Sequence, residues 1–465
     1  MNYVKAHEDG PYWDRACQFF RDSGLADSEG SYLIHNKNSK TVKIGTMCKR
    51  VAVMGHEGDF SYVEDGQEAA AISHAGDPIF KHVEKLVSPD APCFFIVSPD
   101  IRRGFIDESL PQILLVQPGL EFTFSPDRSD GEISYAQDAI SEGQGDVMLR
   151  ASAGKPLSVQ DPPADRPSDG EPRAFSDLAA GWTPAEDDES FLGRLTNAVD
   201  LLQAHPDGKM APTRAYERRL PATYDPFSLY ELHARRNGDY ACSHFVCIRK
   251  GVFSLGTTPE NIFEVSDRTL TVDVVAGTCK FSEDDAYLAR ELYENPKQIK
   301  EHKSSFANRQ NRFRPFCKEG SIHEVQDIQV KVLRNVCHLH SVFTGELLPD
   351  VTIFDLMENI FPLLGARPRE LLPIADAEPA PHRFYGGIVG HVHRNRGGGF
   401  LNIRSALLDN DVMHAKVGTG VISESDAYSE LMETRNKLSG LLEAVLLWEQ
   451  SGSLDRGSDV GGGRS

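Results

Sequence analysis

An α+β fold is expected from the order of apolar patterns along this chain. Short apolar runs bounded by Gly, Pro and Asp recur through residues 31 to 135 and again from 384 to 422, as sheets demand. Helix-like segments separate these runs without the regular strand–helix alternation of a parallel α/β sheet. At 465 residues the chain exceeds the usual single core, so one large or two intimate domains are expected.

The elements follow in order. Residues 11 to 25 have the spacing of a short amphipathic helix. Ser31-Tyr32-Leu33-Ile34, Val51-Ala52-Val53-Met54, Cys93-Phe94-Phe95-Ile96-Val97 and Ile113-Leu114-Leu115-Val116 read as strands, which makes residues 1 to 150 a β-rich N-terminal portion. Residues 151 to 188 are rich in Pro, Asp, Ala and Gly; with few apolar side chains to order them, they read as a linker or mobile surface loop. Residues 189 to 450 form a second portion. Helices are expected there at 189–204, 283–305, 322–341 and 425–449, and strands near 245–248, 269–272 and from 384 to 422. The tail, residues 451 to 465, is rich in Gly and Ser and is expected to be disordered.

A formal net charge of −20 argues against nucleic acid, whose phosphates need a basic face. It leaves small anionic ligands open, because a few recessed arginines or a metal reverse the local field. No apolar run of about 18 residues is present, so no membrane span is expected. The polar N-terminus lacks a signal peptide's apolar core. Eight cysteines without a CxxC pair read as reduced thiols of a cytoplasmic protein.

The motifs carry more. The C-terminal part holds Tyr385-Gly386-Gly387-Ile388-Val389-Gly390, Asn402-Ile403-Arg404-Ser405, Gly418-Thr419-Gly420-Val421-Ile422 and Ser429-Glu430-Leu431-Met432-Glu433-Thr434-Arg435-Asn436-Lys437. Glu430 and Glu433 lie three apart on an expected helix and share a face, which suits a hard cation with oxygen ligands such as Mg²⁺. Upstream stand Lys209-Met210-Ala211-Pro212-Thr213-Arg214, Gly256-Thr257-Thr258-Pro259-Glu260, Val274-Val275-Ala276-Gly277-Thr278, Asn295-Pro296-Lys297-Gln298-Ile299-Lys300-Glu301-His302 and Val336-Cys337-His338-Leu339. By position alone, Lys209 after the turn Asp207-Gly208 fits an exposed lysine, Tyr385 a packing residue and His338 a core histidine.

In this order the motifs resemble the chorismate-utilising enzymes: the anthranilate, isochorismate, salicylate and aminodeoxychorismate synthases. The resemblance covers roughly residues 190 to 445 and makes 189 to 450 the chorismate-binding catalytic portion. It implies a large two-layer α/β sandwich of the anthranilate synthase component I type, with the active site in the cleft between layers. It further implies that Glu260 protonates a hydroxyl leaving ring carbon C4, for which burial must raise its pKa. Lys209 stands where water-using members carry lysine and aminating members glutamine, so it would activate water, and His338 would face the ring. Arg404 would clamp a substrate carboxylate by forked hydrogen bonds, approached by Gly418 and Gly420. Tyr385, Thr278 and Lys437 would complete the substrate site. Glu301, Glu430 and Glu433 would hold Mg²⁺.

Three departures stand out. Gln298 replaces the first of two glutamates before His302, Gln310-Asn311-Arg312 replaces an Arg-Asn-Asp triplet, and the loop Phe361-Pro362-Leu363-Leu364-Gly365-Ala366-Arg367-Pro368-Arg369 is short and lacks hydroxyl residues. The expectation is a Mg²⁺-dependent enzyme of the isochorismate or salicylate synthase type acting on chorismate or a related dicarboxylate. One alternative is an aminating synthase fed by a separate glutamine amidotransferase. Another is a repurposed, non-catalytic homologue.

Overall fold

The structure, a computed structural model, describes residues 3–4, 10–56, 59–73, 78–102, 107–136, 173–221, 224–237, 240–333, 335–361, 363–375, 377 and 380–458. The fold is α+β and built on two large sheets. The first runs Tyr3–Val4, His323–Val332, Val336–Glu346, Thr269–Lys280, Asn261–Ser266, Arg396–Leu401, Ile388–His393, Cys93–Val97, Ile113–Gln117, Lys49–His56, Asp59–Glu64, Gln67–Ser73. The second runs Arg128–Ala136, Leu120–Ser125, Thr41–Thr46, Tyr32–Asn36, Cys242–Arg249, Val252–Thr258, Ser405–Asp409, Val412–Gly418, Thr213–Arg219, Thr183–Pro184. Pairing within the sheets is antiparallel except between Tyr3–Val4 and His323–Val332.

Central strands read as unbroken apolar runs because both of their faces are covered. Phe94 and Ile96 point inward and meet Tyr32, Ile34, Val246, Val389 and Phe400, so the inner faces of the two sheets share one core. Across it Tyr32 stacks on Phe94 with ring centroids 4.8 Å apart. The alternate residues Phe95 and Val97 point outward, into a core closed by the helices Ile79–Glu84 and Ile353–Ile360. Outside the second sheet, Leu33, Phe245 and Leu255 pack under the helices Pro11–Asp22, Pro226–Arg236 and Ala427–Ser458. Each layer of the sandwich is therefore a sheet with helices on its outer face. The N-terminal portion is not an appendage: Cys93–Val97 pairs with Ile388–His393, and Tyr32–Asn36 with Cys242–Arg249.

Several segments differ from the sequence expectation. Residues 322–341 are not helical; they form two strands, His323–Val332 and Val336–Glu346. The two register shifts that interrupt His323–Val332 disguise its alternation. Of the expected linker, residues 151–172 lie outside the described residues. Residues 173–188 carry the helix Phe175–Leu178 and the strand Thr183–Pro184, anchored by buried Leu178 and Trp182. The final helix continues to Ser458 through the first part of the expected tail, and 459–465 lie outside the described residues. Helices outside the expected ranges include two with clear caps. Pro226–Arg236 is capped by Asp225, and Ile353–Ile360 by a reciprocal Thr352–Asp355 capping box.

Candidate active site

A cavity of about 710 Å³ lies between the layers, walled by Val274, Ala276 and Leu401 from the first sheet and Ser405, Lys416 and Val417 from the second. Ten of the expected site residues line it: Lys209, Glu260, Thr278, Glu301, His338, Tyr385, Arg404, Gly418, Gly420 and Lys437. Glu430 and Glu433 do not; they sit one layer behind Thr419. Eight lysines and arginines line the cavity against three glutamates. A strongly acidic chain thus carries a cationic cavity, the local field an anionic ligand needs.

Lys209 turns inward rather than to solvent. Its two-residue strand Lys209–Met210 pairs with Ala366–Arg367, and its ammonium donates to Glu301 Oε1 at 2.9 Å and to Ser305 Oγ at 3.2 Å. Glu301 projects from the helix Pro296–Phe313, which starts at Asn295, whose side chain accepts the Lys297 N–H. Burial alone would raise the Glu301 pKa, but Lys209 and Lys297 outweigh it and hold the carboxyl well below its ordinary value. Gly420 permits this pairing. A Cβ there would stand 2.6 Å from both Glu301 Oε1 and Lys209 Cε.

Glu430 and Glu433 share one face of the final helix, and Thr419 Oγ1 lies within hydrogen-bonding distance of both. Glu430 also accepts from Ser425 Oγ at 2.7 Å, and Glu433 pairs with Lys437 at 2.6 Å. Burial and then repulsion from Glu433 raise the Glu430 pKa. The ammonium of Lys297 bridges Glu430 Oε1 at 2.9 Å and Glu301 Oε2 at 3.2 Å. The donor set of Glu301, Glu430 and Glu433 is the all-oxygen type a hard cation takes. As arranged, however, no three such side chains among the described residues stand ready to hold an ion, and Lys297 occupies the ground between them. Gln298 is already committed, because its Oε1 accepts the Thr278 N–H at 2.8 Å.

Arg404, also on the cavity wall, sits at φ +52°, a left-handed conformation that a non-glycine residue adopts only when its surroundings enforce it. Its carbonyl accepts from Thr257 N at 3.2 Å and lies 3.1 Å from His233 Nε2. Its guanidinium donates to His338 Nε2 at 3.1 Å and makes no ion pair among the described residues. Since arginine only donates, His338 Nε2 must accept, and Nδ1–H then donates to Thr278 Oγ1 at 3.1 Å. That tautomer is neutral, in keeping with a His338 pKa driven well below the ordinary value by burial and then by Arg404 and Lys437. Burial likewise lowers the Arg404 pKa to about 10. Because Val336–Glu346 is a strand, His338 and His340 share a face, contrary to the helical expectation.

Glu260 lies in the turn between Val252–Thr258 and Asn261–Ser266. Burial raises its pKa despite Arg309, whose NH2 donates to Glu260 Oε1 at 2.7 Å. Sequence reasoning singled out neither Lys297 nor Arg309. Lys297 precedes Glu301 by four residues on a helix, a pairing offset that was available to read; Arg309 gave no such signal.

The model of a family described as chorismate binding enzyme matches residues 66–443. Anthranilate synthase component 1 of Lactococcus lactis is 31% identical over 197 residues, which are 41% of this chain and 43% of that protein. The Arthrobacter globiformis protein of the same name is 25% identical over 395 residues, 80% of this chain and 70% of its own length. The chain thus spans under half of the first relative. The menaquinone-specific isochorismate synthase of Escherichia coli superposes with a TM-score of 0.64 at 15% identity, covering 95% of this chain and 92% of that one.

Proposed function

This chain belongs to the family of chorismate-binding enzymes, and on that premise we propose that it adds water at C2 of chorismate and expels the C4 hydroxyl. The observation that carries this reading is that one cavity is lined both by Arg404, a guanidinium without a carboxylate partner, and by Glu260, a carboxyl whose pKa burial raises.

Arg404 takes a substrate carboxylate by a forked pair of hydrogen bonds, its plane set by His338 and, through it, Thr278. Lys209, as the free amine, would serve as the base that accepts a proton from the attacking water. Glu260 gives its proton to the hydroxyl leaving C4, which departs as water. One water enters and one leaves, the ring double bonds shift, and the product is an isomer of chorismate. Pyruvate loss from that product would give salicylate. Glu301, Glu430 and Glu433 would hold Mg²⁺ after Lys297 moves aside. When bound, the ion would supply positive charge that offsets the negative charge developing on the substrate.

A second reading rests on the anthranilate synthase relatives: ammonia in place of water, delivered by a separate glutamine amidotransferase. The test is to incubate the full chain with chorismate and Mg²⁺, with and without ammonium, and identify products by mass spectrometry. Isochorismate or salicylate without ammonium, lost in Glu260→Gln, supports water addition. An amino product formed only with ammonium selects the second reading, and no product under either condition removes chorismate as substrate.

A further inference from the structure

Two departures of the sequence from its family pattern meet in space. Arg312 belongs to the altered triplet at the end of the helix Pro296–Phe313, and Arg369 to the shortened loop, yet both line the same cavity together with Arg309. Their bonding is incomplete. Arg309 gives NH2 to Glu260, but its NH1 is buried without a partner. Arg312 spends NH1 on the Ile360 carbonyl at 2.8 Å. Exposed Arg369 has no side-chain partner among the described residues.

The acids of this wall do not balance the three. Glu260 is taken by Arg309, and Glu358 accepts the Phe80 N–H at 2.9 Å. Burial and then the charges of Arg309 and Arg369 push the Arg312 pKa down to about 10, so the guanidiniums feel one another. Like charges gathered at a cavity wall are stabilised by an oxyanion that accepts from several planar forks at once. The cavity volume, about 710 Å³, leaves room for a ligand group beyond the one at Arg404.

We propose that Arg309, Arg312 and Arg369 form a second anion subsite, which takes a carboxylate or phosphate group in addition to the carboxylate at Arg404. The inference rests on reading this cavity as the substrate site, and it would make the shortened loop a specificity element. The anion is either carried by the substrate or is a separate small oxyanion, and both present the same oxygens to the arginines.

Calorimetric titration of the full chain with inorganic phosphate tests the subsite. The wild type is expected to bind, Arg404→Gln to retain binding, and Arg312→Gln with Arg369→Gln to lose about tenfold or more. Arg369→Gln alone, at the exposed rim, keeps the test valid if the double variant misfolds, and should lose about threefold. No binding by the wild type, or equal binding by the variants, overturns the proposal. Repeating the titration with chorismate present separates the sources. Displacement of phosphate means that the substrate's own group reaches the arginines, and joint binding means a separate anion. If chorismate is not turned over but phosphate binding still depends on Arg312 and Arg369, the subsite stands and the chorismate reading falls. Normal turnover with phosphate binding indifferent to those arginines has the opposite meaning.

Discussion

Gly420→Ala isolates the contact between the glycine loop and the Lys209–Glu301 pair. Gly420 is not in the left-handed region, so the substitution strains no backbone and acts only through the added methyl. That methyl would stand 2.6 Å from Glu301 Oε1, 2.6 Å from Lys209 Cε and 2.9 Å from Lys209 Nζ. Unstrained heavy-atom contacts need about 3.5–4.0 Å, so the pair must retreat by roughly 1 Å. Both contacts are to the far ends of flexible side chains, so the Lys209–Glu301 pair, 2.9 Å long, gives way and is displaced from its present position. Misplacement on this scale costs ~10²-fold in rate where the displaced group takes part in chemistry. Crowding such a site also destabilises the fold by ~1–3 kcal/mol. Steady-state kinetics with chorismate should therefore show kcat/KM lowered about 10²-fold, mostly in kcat, while thermal melting falls by a few degrees at most. A variant that melts slightly lower but keeps wild-type kcat/KM would refute the placement of Lys209 at the reacting centre.

The remaining expectations are smaller in scope. Arg404→Gln removes a charge-assisted pair worth ~1.5–3 kcal/mol and should lower kcat/KM for chorismate by ~10–10²-fold; an unchanged KM would remove the carboxylate clamp. Because burial raises the Glu260 pKa above its ordinary 4.5, kcat/KM should fall as pH rises through the raised value, and stability from this group, full below pH 4.5, should decline over the same window. Glu260→Gln should lose that alkaline limb in a pH–rate profile, and a limb that survives assigns the acid elsewhere. Lys297→Met leaves buried Glu430 without its ammonium and Glu301 with Lys209 alone, and should cost ~3–5 kcal/mol by chemical denaturation, partly restored by millimolar Mg²⁺; a loss that Mg²⁺ leaves untouched counts against a cation at these carboxylates. Gly193→Ala, inside the helix Asp188–Leu202 with open space at its Cβ, should stabilise by ~1 kcal/mol and leave kinetics unchanged.

What the sequence made legible follows from what constrains each segment. Cys93–Val97 and residues 113–116 were readable because both faces of these runs are buried and apolar residues fill them. His323–Val332 was not, since its register shifts break the alternation that marks a strand, although its four β-branched residues favour extended chain. The family match begins at residue 66, whereas motifs became readable only near 190. The intervening strands supply sheet and core, and packing tolerates many apolar exchanges without leaving a motif.

The site was legible to the extent that its chemistry needs fixed residue types. Arg404, Glu260, Glu301 and Gly420 hold positions where a charge, a proton or the absence of a Cβ is required, and all four face the cavity. Counter-charges are less readable, because any lysine or arginine within reach serves: Lys297 neutralises Glu301 and Glu430 from inside the matched segment, and Arg309 holds Glu260 from outside any motif. The departures were readable as losses, but their common consequence was not. An acid-to-arginine change at 312 and a shortened loop carrying Arg369 are 57 residues apart in the chain, and only the fold places both charges on one wall. If the losses were drift, the wall would have no reason to gain two guanidiniums without carboxylate partners beside a third, since the like charges repel. Their convergence therefore argues for altered specificity over decay, and the phosphate titration distinguishes the two.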